Sequence, residues 1–349
     1  MSRPRIAVLP GDGIGPEVTA VALSFLSRLL AFDATEAPVG GAAIDATGEP
    51  LPDATLALCR ASDAVFLGAI GGPKWEGGTV RPEQGLLALR RGLDVYANLR
   101  PARDLGLPVP LRREIVAGAD ILVVRDLLGG VYFGEPRVEG EQEALDTWRQ
   151  TAEQTRRVAR VAFDLARRRR RRVTSIDKAN VLAASRLWRR TVIEVAREYP
   201  EVELEHRFVD AASFELIAAP QRFDVVLADN LFGDVLSDEL AAVAGGIGLL
   251  ASASLGDGPG LFEPVHGSAP DLAGHGIANP TGALLTVALM LSHGLGRPDL
   301  GSALERAVVE ALADERTADL GGNATTAEFA HAVERRLARS PAHPQEVPR

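Results

Sequence analysis

The chain has 349 residues, 46% of them hydrophobic, with a formal net charge of −9. It is long enough for two domains whose cores need no disulfide or metal staple. It contains no apolar run of the ~18 residues a membrane span needs, and its acidic balance speaks against a nucleic-acid surface. The single cysteine, Cys59, excludes an internal disulfide and a cysteine-ligated metal cluster. Together with an N-terminus lacking a signal-peptide pattern, it leads us to expect a reducing, cytoplasmic setting.

Short β-branched runs alternate with helical periodicity. RIAVLP reads as a strand, followed by a helix from about Pro16 to Leu30, the strand DAVFLG and a helix around Glu83 to Gly92. DILVVR, a helix about Ala152 to Arg168, RVTSI, a helix about Ala179 to Tyr199, VELEHRFV and FDVVLAD continue the alternation. This pattern predicts α/β architecture. From Asn230 onward the chain reads as mainly helical, with Gly-rich connections at Gly245 to Gly248 and Gly256 to Gly260. The terminal SPAHPQEVPR is Pro-rich and expected to fray. Between Leu127 and Trp148, VYFGEPRVEGEQEALDTW has little helical periodicity and suits an extended arm. The run Arg167 to Arg172 follows a helix end, where cations complement the dipole and face water. With no repeat and no obvious linker, two domains would be interleaved in sequence.

Several constellations carry chemistry. PGDGIGPEV joins a strand to a helix through a glycine-rich turn, but Pro16 stands where a dinucleotide fingerprint needs glycine. Glu36, at the distance of a ribose-binding acid, is therefore read as a decoy. Asp234 and Asp238 are four apart, so a helix puts both carboxylates on one face. Asp210 follows a strand-like run that can bring a third acid to the same point. Such a trio suits Mg²⁺ or Mn²⁺, or else forms a solvated acidic face. Arg90, Arg100 and Arg125 each end an apolar segment, and converging guanidinium forks fit a di- or tricarboxylate. Lys178 is one of only two lysines in an arginine-rich chain. A lysine can release a proton where a guanidinium cannot, so it is a candidate proton-transfer group, the alternative being a residual surface lysine. Tyr132 offers a phenolic proton or simply packs the arm. In FEPVHGSAPDLAGHGIANP, Asp271 can accept from ribose hydroxyls, and His266 is a loop brace or a neighbour of a ligand.

Eight strings, VLPGDGIGPEV, GGPKW, RPEQGLLALR, ANLRPAR, GGVYFGEPR, SIDKANVL, NLFGDVLSD and EPVHGSAPDLAGHGIANP, follow in order from Val8 to Pro280 and carry a likeness that extends from Ile6 to about Phe329. By these the chain resembles the isocitrate/isopropylmalate dehydrogenase family of β-decarboxylating dehydrogenases. The resemblance implies a two-domain α/β fold that is not a Rossmann fold, with an active-site cleft between the domains, completed across a homodimer. The expected domains are 1–95 plus 246–349, on the cofactor side, and 96–245, carrying the metal ligands and an arm at about 127–148.

The resemblance also implies roles. Arg90, Arg100 and Arg125 hold the substrate carboxylates; Asp234 and Asp238, with Asp210 of the partner chain, hold Mg²⁺ or Mn²⁺, and Asp210 also lies at the substrate. Lys178, serving the other subunit, takes the 2-hydroxyl proton, and Tyr132 protonates the enol carbon after decarboxylation. NAD lies along Ile14, Glu83, His266, Gly267, Ser268, Ala269, Asp271 and Asn279; NADP-using relatives tend to carry a lysine-tyrosine pair at Asp271-Leu272. Leu86, Leu87 and Val181, with Glu83, form a pocket for a branched alkyl group. The expected reaction is NAD-dependent oxidative decarboxylation of 3-isopropylmalate to 4-methyl-2-oxopentanoate, a step of leucine biosynthesis. D-malate or tartrate is the alternative substrate, and a non-catalytic regulatory subunit the alternative class. Three positions depart from the family pattern: DTWRQTAEQ lacks a tyrosine after DT, the loop after Trp75 is short, and Ala251 replaces a usual proline. These bear on the packing of the arm and the rigidity of the cleft.

Overall fold

The computed structural model describes residues 3–339, so the SPAHPQEVPR segment lies outside the described residues. The chain divides into two compact units, Met1–Leu93 with Gly246–Arg349, and Asp94–Gly245. Among the described residues no helix is long and apolar enough to cross a membrane.

In the first unit, strand Arg5–Gly11 lies between the parallel strands Asp33–Glu36 and Ala64–Ala69. Gly260–Pro264 continues in parallel beside Ala64–Ala69 and pairs antiparallel with Ala251–Leu255. Ala64–Ala69 is buried along its whole length, as a central parallel strand with both faces covered must be. Helices Gly15–Leu29, Thr281–Leu289, Pro298–Asp314 and Thr326–Leu337 pack in this unit. Three strands end on the same edge of the sheet, and the GDGIG turn, the loop from Ile70 and the loop from Val265 follow them.

The second unit is built on Ala97–Arg103, Asp120–Asp126, Val225–Ala228, Arg172–Asp177 and Glu203–Phe208, in that spatial order. The first pair is antiparallel, with Asn98 opposite Arg125, and the others are parallel. Its core gathers Ile121, Val123, Ile176, Leu216, Val226 and Leu236. Helix Ala152–Arg167 buries Thr155, Val158, Ala159, Ala162, Phe163 and Ala166, a stripe at three- and four-residue spacing, while its arginines face out. Each large apolar side chain buried there contributes roughly 1.5–3 kcal/mol. The Thr151 hydroxyl accepts from Gln154 N and caps the start of the helix. The arm contains a short antiparallel pair, Val138–Glu139 with Ala144–Leu145. Its atypical base is anchored by an edge-on contact of Trp148 with Phe232 and by Gln150 donating to Asp126. Ala251 is buried and pairs with Pro264 across the hairpin.

One expectation is refined and two are corrected. The chain after Asn230 is mainly helical, as read, but ASASL and GLFEP interrupt it with a hairpin around the turn at 256–259. The helix at Ala179 begins only at Ala183, because Val181 N and Leu182 N both return to Lys178 O in a turn. The arginine run is not six interchangeable solvent-facing cations. The helix stops at Arg167, Arg171 turns with φ 59°, and Arg172 opens a strand. Arg169 then binds Asp224 at 2.8 Å and Asp120 O at 2.9 Å, while Arg170 donates to the carbonyls of Gln221, Asp120 and Phe223. These arginines tie together the beginnings of three neighbouring strands.

Candidate active site

In the second unit the C-terminal ends of the parallel strands collect the candidate residues, as expected of an open α/β sheet. Arg125 is the penultimate residue of Asp120–Asp126, Lys178 follows Arg172–Asp177, Asp210 follows Glu203–Phe208 in the first turn of the next helix, and helix Asn230–Glu239 follows Val225–Ala228. That helix is capped by Asp229, whose side chain accepts from Phe232 N at 3.0 Å.

Asp234 and Asp238 share one face of this helix. Arg125, only 1% exposed, donates to Asp234 Oδ1 at 2.5 Å, and to Asn230 O and Oδ1 at 2.9 and 2.8 Å. Its stem lies close across the helix because residue 233 is glycine: a Cβ there would sit 2.7 Å from Arg125 Cγ. Arg100 bridges the two acids, at 2.7 Å to Asp238 Oδ1 and 3.3 Å to Asp234 Oδ1, and is steadied by Asn98 and Ser237. Tyr132 Oη donates to Asp234 Oδ2 at 2.8 Å. Burial and the neighbouring Asp234 push the Tyr132 phenol up to about 12, so it stays a proton donor. Burial raises the Asp238 carboxyl, with Arg100 pulling against it and Asp234 adding to the rise.

Asp210 is not part of this cluster in its own chain. It accepts from Lys178 Nζ at 2.6 Å, and that hydrogen bond lowers its carboxyl. Among the described residues, no group of three acidic, histidine or cysteine side chains of one chain converges on a metal position. The Lys178 turn is held from behind: Asp177, fully buried, accepts from Arg189 at 2.7 and 2.9 Å and from Ala179 N at 2.8 Å. Val181, in the same turn, is 62% exposed.

In the first unit, Glu83, Leu86, Leu87 and Arg90 follow one face of helix Pro82–Gly92. Arg90 is buried and its Nη2 donates to buried Glu263 at 2.7 Å, while its Nε is buried without a partner. It lies in the last turn of the helix read around Glu83 to Gly92. Ile14 N donates to Ser268 O at 2.8 Å, which joins the GDGIG turn to the 266–269 loop. His266 Nδ1 lies 3.0 Å from Gly267 O, Nε2 is buried and unpartnered, and burial lowers the imidazole. Asn279 donates to Asp319 and accepts from Thr281 N. Asp271 is exposed in a 3₁₀ turn beginning at Pro270, after Ala269 in a left-handed conformation, with Gly267 exposed nearby. The supporting residues Asn98, Asn230, Ser237 and Glu263 were not singled out in the sequence. Only proximity in the fold marks them, except for Asn230, which stands at a strand-to-helix junction.

The isocitrate/isopropylmalate dehydrogenase family profile matches residues 5–333. The chain is 52% identical over 335 residues to a 3-isopropylmalate dehydrogenase of Gloeobacter violaceus, covering 91% of this chain and 92% of that protein. It is 50% identical over 350 residues to one of Anaeromyxobacter dehalogenans, covering 96% and 99%. Among solved structures, an isocitrate dehydrogenase from Methylococcus capsulatus superposes with a TM-score of 0.88 at 39% identity, covering 96% of this chain and 99% of that one. A β-decarboxylating dehydrogenase from Thermococcus kodakarensis superposes with a TM-score of 0.83 at 38% identity, covering 96% of each chain.

Proposed function

We propose, since this chain belongs to the isocitrate/isopropylmalate dehydrogenase family, that it oxidises and decarboxylates 3-isopropylmalate to 4-methyl-2-oxopentanoate with NAD⁺, serving leucine biosynthesis in the cytoplasm. The observation that carries this reading is the convergence of Arg100, Arg125 and Tyr132 on Asp234 and Asp238. It combines carboxylate-binding forks, a phenol that keeps its proton and two hard oxygen ligands.

The donor set fits Mg²⁺ or Mn²⁺, since Asp234 and Asp238 present only carboxylate oxygens and sit one helical turn apart. Asp210 completes the set from the other subunit of a homodimer, which also brings Lys178 to the site. Exposed apolar residues on two helices, Phe214 at 73% and Val235 at 60%, and on the arm, Val138 and Leu145, support a dimer. When bound, the ion supplies Lewis acidity toward the oxygen on C2.

Arg90, Arg100 and Arg125 supply the positive charge that holds the malate carboxylates, and the unpartnered Nε of Arg90 is free to donate to one. Lys178 Nζ accepts the 2-hydroxyl proton as hydride leaves C2 for the nicotinamide. Loss of CO₂ from the carboxylate of the β-keto acid leaves an enolate, Tyr132 Oη delivers a proton to its carbon to give the ketone, and the phenolate regains a proton from solvent. Leu86, Leu87 and Val181, with Glu83 at the rim, receive the isopropyl group. Discrimination there is worth about 1–3 kcal/mol per methylene. The dinucleotide lies along Ile14, Glu83, His266, Gly267, Ser268, Ala269, Asp271 and Asn279. The buried, unpartnered Nε2 of His266 and the exposed carboxylate of Asp271 fit such a ligand. Asp271 accepts from ribose hydroxyls and would repel a 2′-phosphate, favouring NAD⁺ over NADP⁺. A non-catalytic role fits poorly with a chain that keeps Lys178, Tyr132 and all three acids. The test is NADH formation with Mn²⁺ across 3-isopropylmalate, D-malate, tartrate, isocitrate and homoisocitrate. A higher kcat/KM for any of the last four overturns the substrate assignment.

A further inference from the structure

The GDGIG turn stands out in the sequence for its glycines, yet its aspartate makes the more informative contacts. Asp12 is 5% exposed. Its Oδ2 accepts from Gly41 N and Gly71 N, both at 2.9 Å, and its Oδ1 accepts from Ala42 N at 2.7 Å. Gly41 and Ala42 are the second and third residues of helix Gly40–Thr47, whose own N-cap position is Val39, with no side-chain acceptor to offer. The first N–H groups of a helix need partners from outside it. Here a carboxylate from a distant strand end supplies them, with its charge at the favourable pole of the dipole. Gly40 makes room for this cap: its φ is 69°, and a Cβ there would lie 2.7 Å from Asp12 Oδ2.

The third bond, from Gly71, ties in the loop after strand Ala64–Ala69. Further along that loop the Trp75 indole lies against the start of the same helix, where a Cβ on Gly41 would come within 2.2 Å of the ring. Asp45 accepts from Lys74 Nζ at 2.6 Å and Trp75 Nε1 at 3.3 Å. GGPKW is thus pinned at one end by Asp12 and at the other by Asp45, which gives Lys74 a structural task. Three pieces meet around this point. Ile14, two residues beyond Asp12, donates to Ser268 O. A Cβ on Gly71 would lie 2.9 Å from Glu83 Oε1.

We propose that Asp12 is a positioning residue for the dinucleotide, holding the GDGIG turn and the Gly71–Gly72 loop at the spacing that lets Ile14, Ser268 and Glu83 act on one ligand. The proposal rests on the NAD⁺ reading above. It requires a carboxylate. An asparagine in the same place keeps two bonds at most, and its amide NH₂ then opposes a peptide N–H.

The test pairs Asp12→Asn with hydrogen exchange on the wild-type protein. By calorimetry the variant is expected to bind NAD⁺ about tenfold more weakly, the cost of one lost charge-assisted hydrogen bond, with an unchanged KM for the hydroxy acid. In the wild type, the amides of Gly41, Ala42 and Gly71 are expected to exchange as a group and to slow when NAD⁺ is added. Should Asp12→Asn fail to fold, the exchange result decides alone. Unaltered NAD⁺ affinity in a folded variant, or exchange at these amides indifferent to saturating NAD⁺, overturns the proposal and leaves the cofactor reading standing. Wild-type protein that shows no NAD⁺ binding overturns that reading, and this proposal with it.

Discussion

Glu263 offers a perturbation whose cost follows from its surroundings. Its side chain is 7% exposed and that of Arg90 is 9% exposed, and they meet at 2.7 Å. Arg90 Nε has no partner to share the charge. Truncation by Glu263→Ala leaves a guanidinium buried and uncompensated, for which about 3–5 kcal/mol of stability is lost. Glu263→Gln keeps a neutral acceptor, and its cost is expected to be smaller, roughly 1.5–3 kcal/mol. Replacing both partners together, Arg90→Met with Glu263→Leu, removes the desolvated charges and is expected to be more stable than Glu263→Ala. Urea unfolding of the four proteins at low and high salt provides the comparison. Because the pair is shielded from solvent, added salt should change the wild-type to Glu263→Ala difference little. A loss below about 1 kcal/mol for Glu263→Ala, in the range of an exposed pair, would refute the reasoning.

Other perturbations test the chemistry and its supports. Lys178→Arg keeps the charge and the partner Asp210 but removes a usable proton acceptor. It should yield a folded protein that binds substrate, with kcat lowered ~10²–10⁴-fold in steady-state assays; substantial turnover would rule out the proton-transfer role. Tyr132→Phe should lower kcat by a similar order, with little change in substrate KM, since the ring stays and only the proton goes. Burial pushes the Asp229 carboxyl from 3.8 up to about 7, with Asp126 and Asp177 adding to the rise. A carboxyl raised in the folded state contributes stability that is complete below its unfolded pKa and is lost as pH rises through the folded one. Wild-type Tm should therefore fall between about pH 4 and 7 relative to Asp229→Asn, which cannot ionise, and level off above that; parallel Tm curves would contradict this. Chelation with EDTA should abolish turnover and Mn²⁺ restore it, as measured by NADH formation.

The α/β alternation was legible because strands such as Ala64–Ala69 are continuous apolar runs, and helix Ala152–Arg167 carries a clear apolar stripe. The hairpin of Ala251–Leu255 and Gly260–Pro264 was not, since alanine, serine and glycine give neither period a strong signal. The arginine run misled for a related reason. Composition suggests a solvated tail to a helix, whereas the chain turns at Arg171 and spends Arg169 and Arg170 on backbone carbonyls that only the fold brings near. At the candidate site, the helical spacing of Asp234 and Asp238 could be read directly. That Arg100 and Arg125 would neutralise them could not, because the partners lie over a hundred residues away in sequence. Asp12 was hidden inside a glycine motif: nothing in PGDGIGPEV indicates that its carboxylate caps a helix of another segment.

The central claim, that this chain oxidatively decarboxylates 3-isopropylmalate, is tested most directly by kcat/KM for NADH formation with Mn²⁺ and each candidate hydroxy acid. 3-Isopropylmalate is expected to give the highest value, with NAD⁺ preferred over NADP⁺. A higher value for isocitrate, homoisocitrate, D-malate or tartrate, or a preference for NADP⁺, would contradict it.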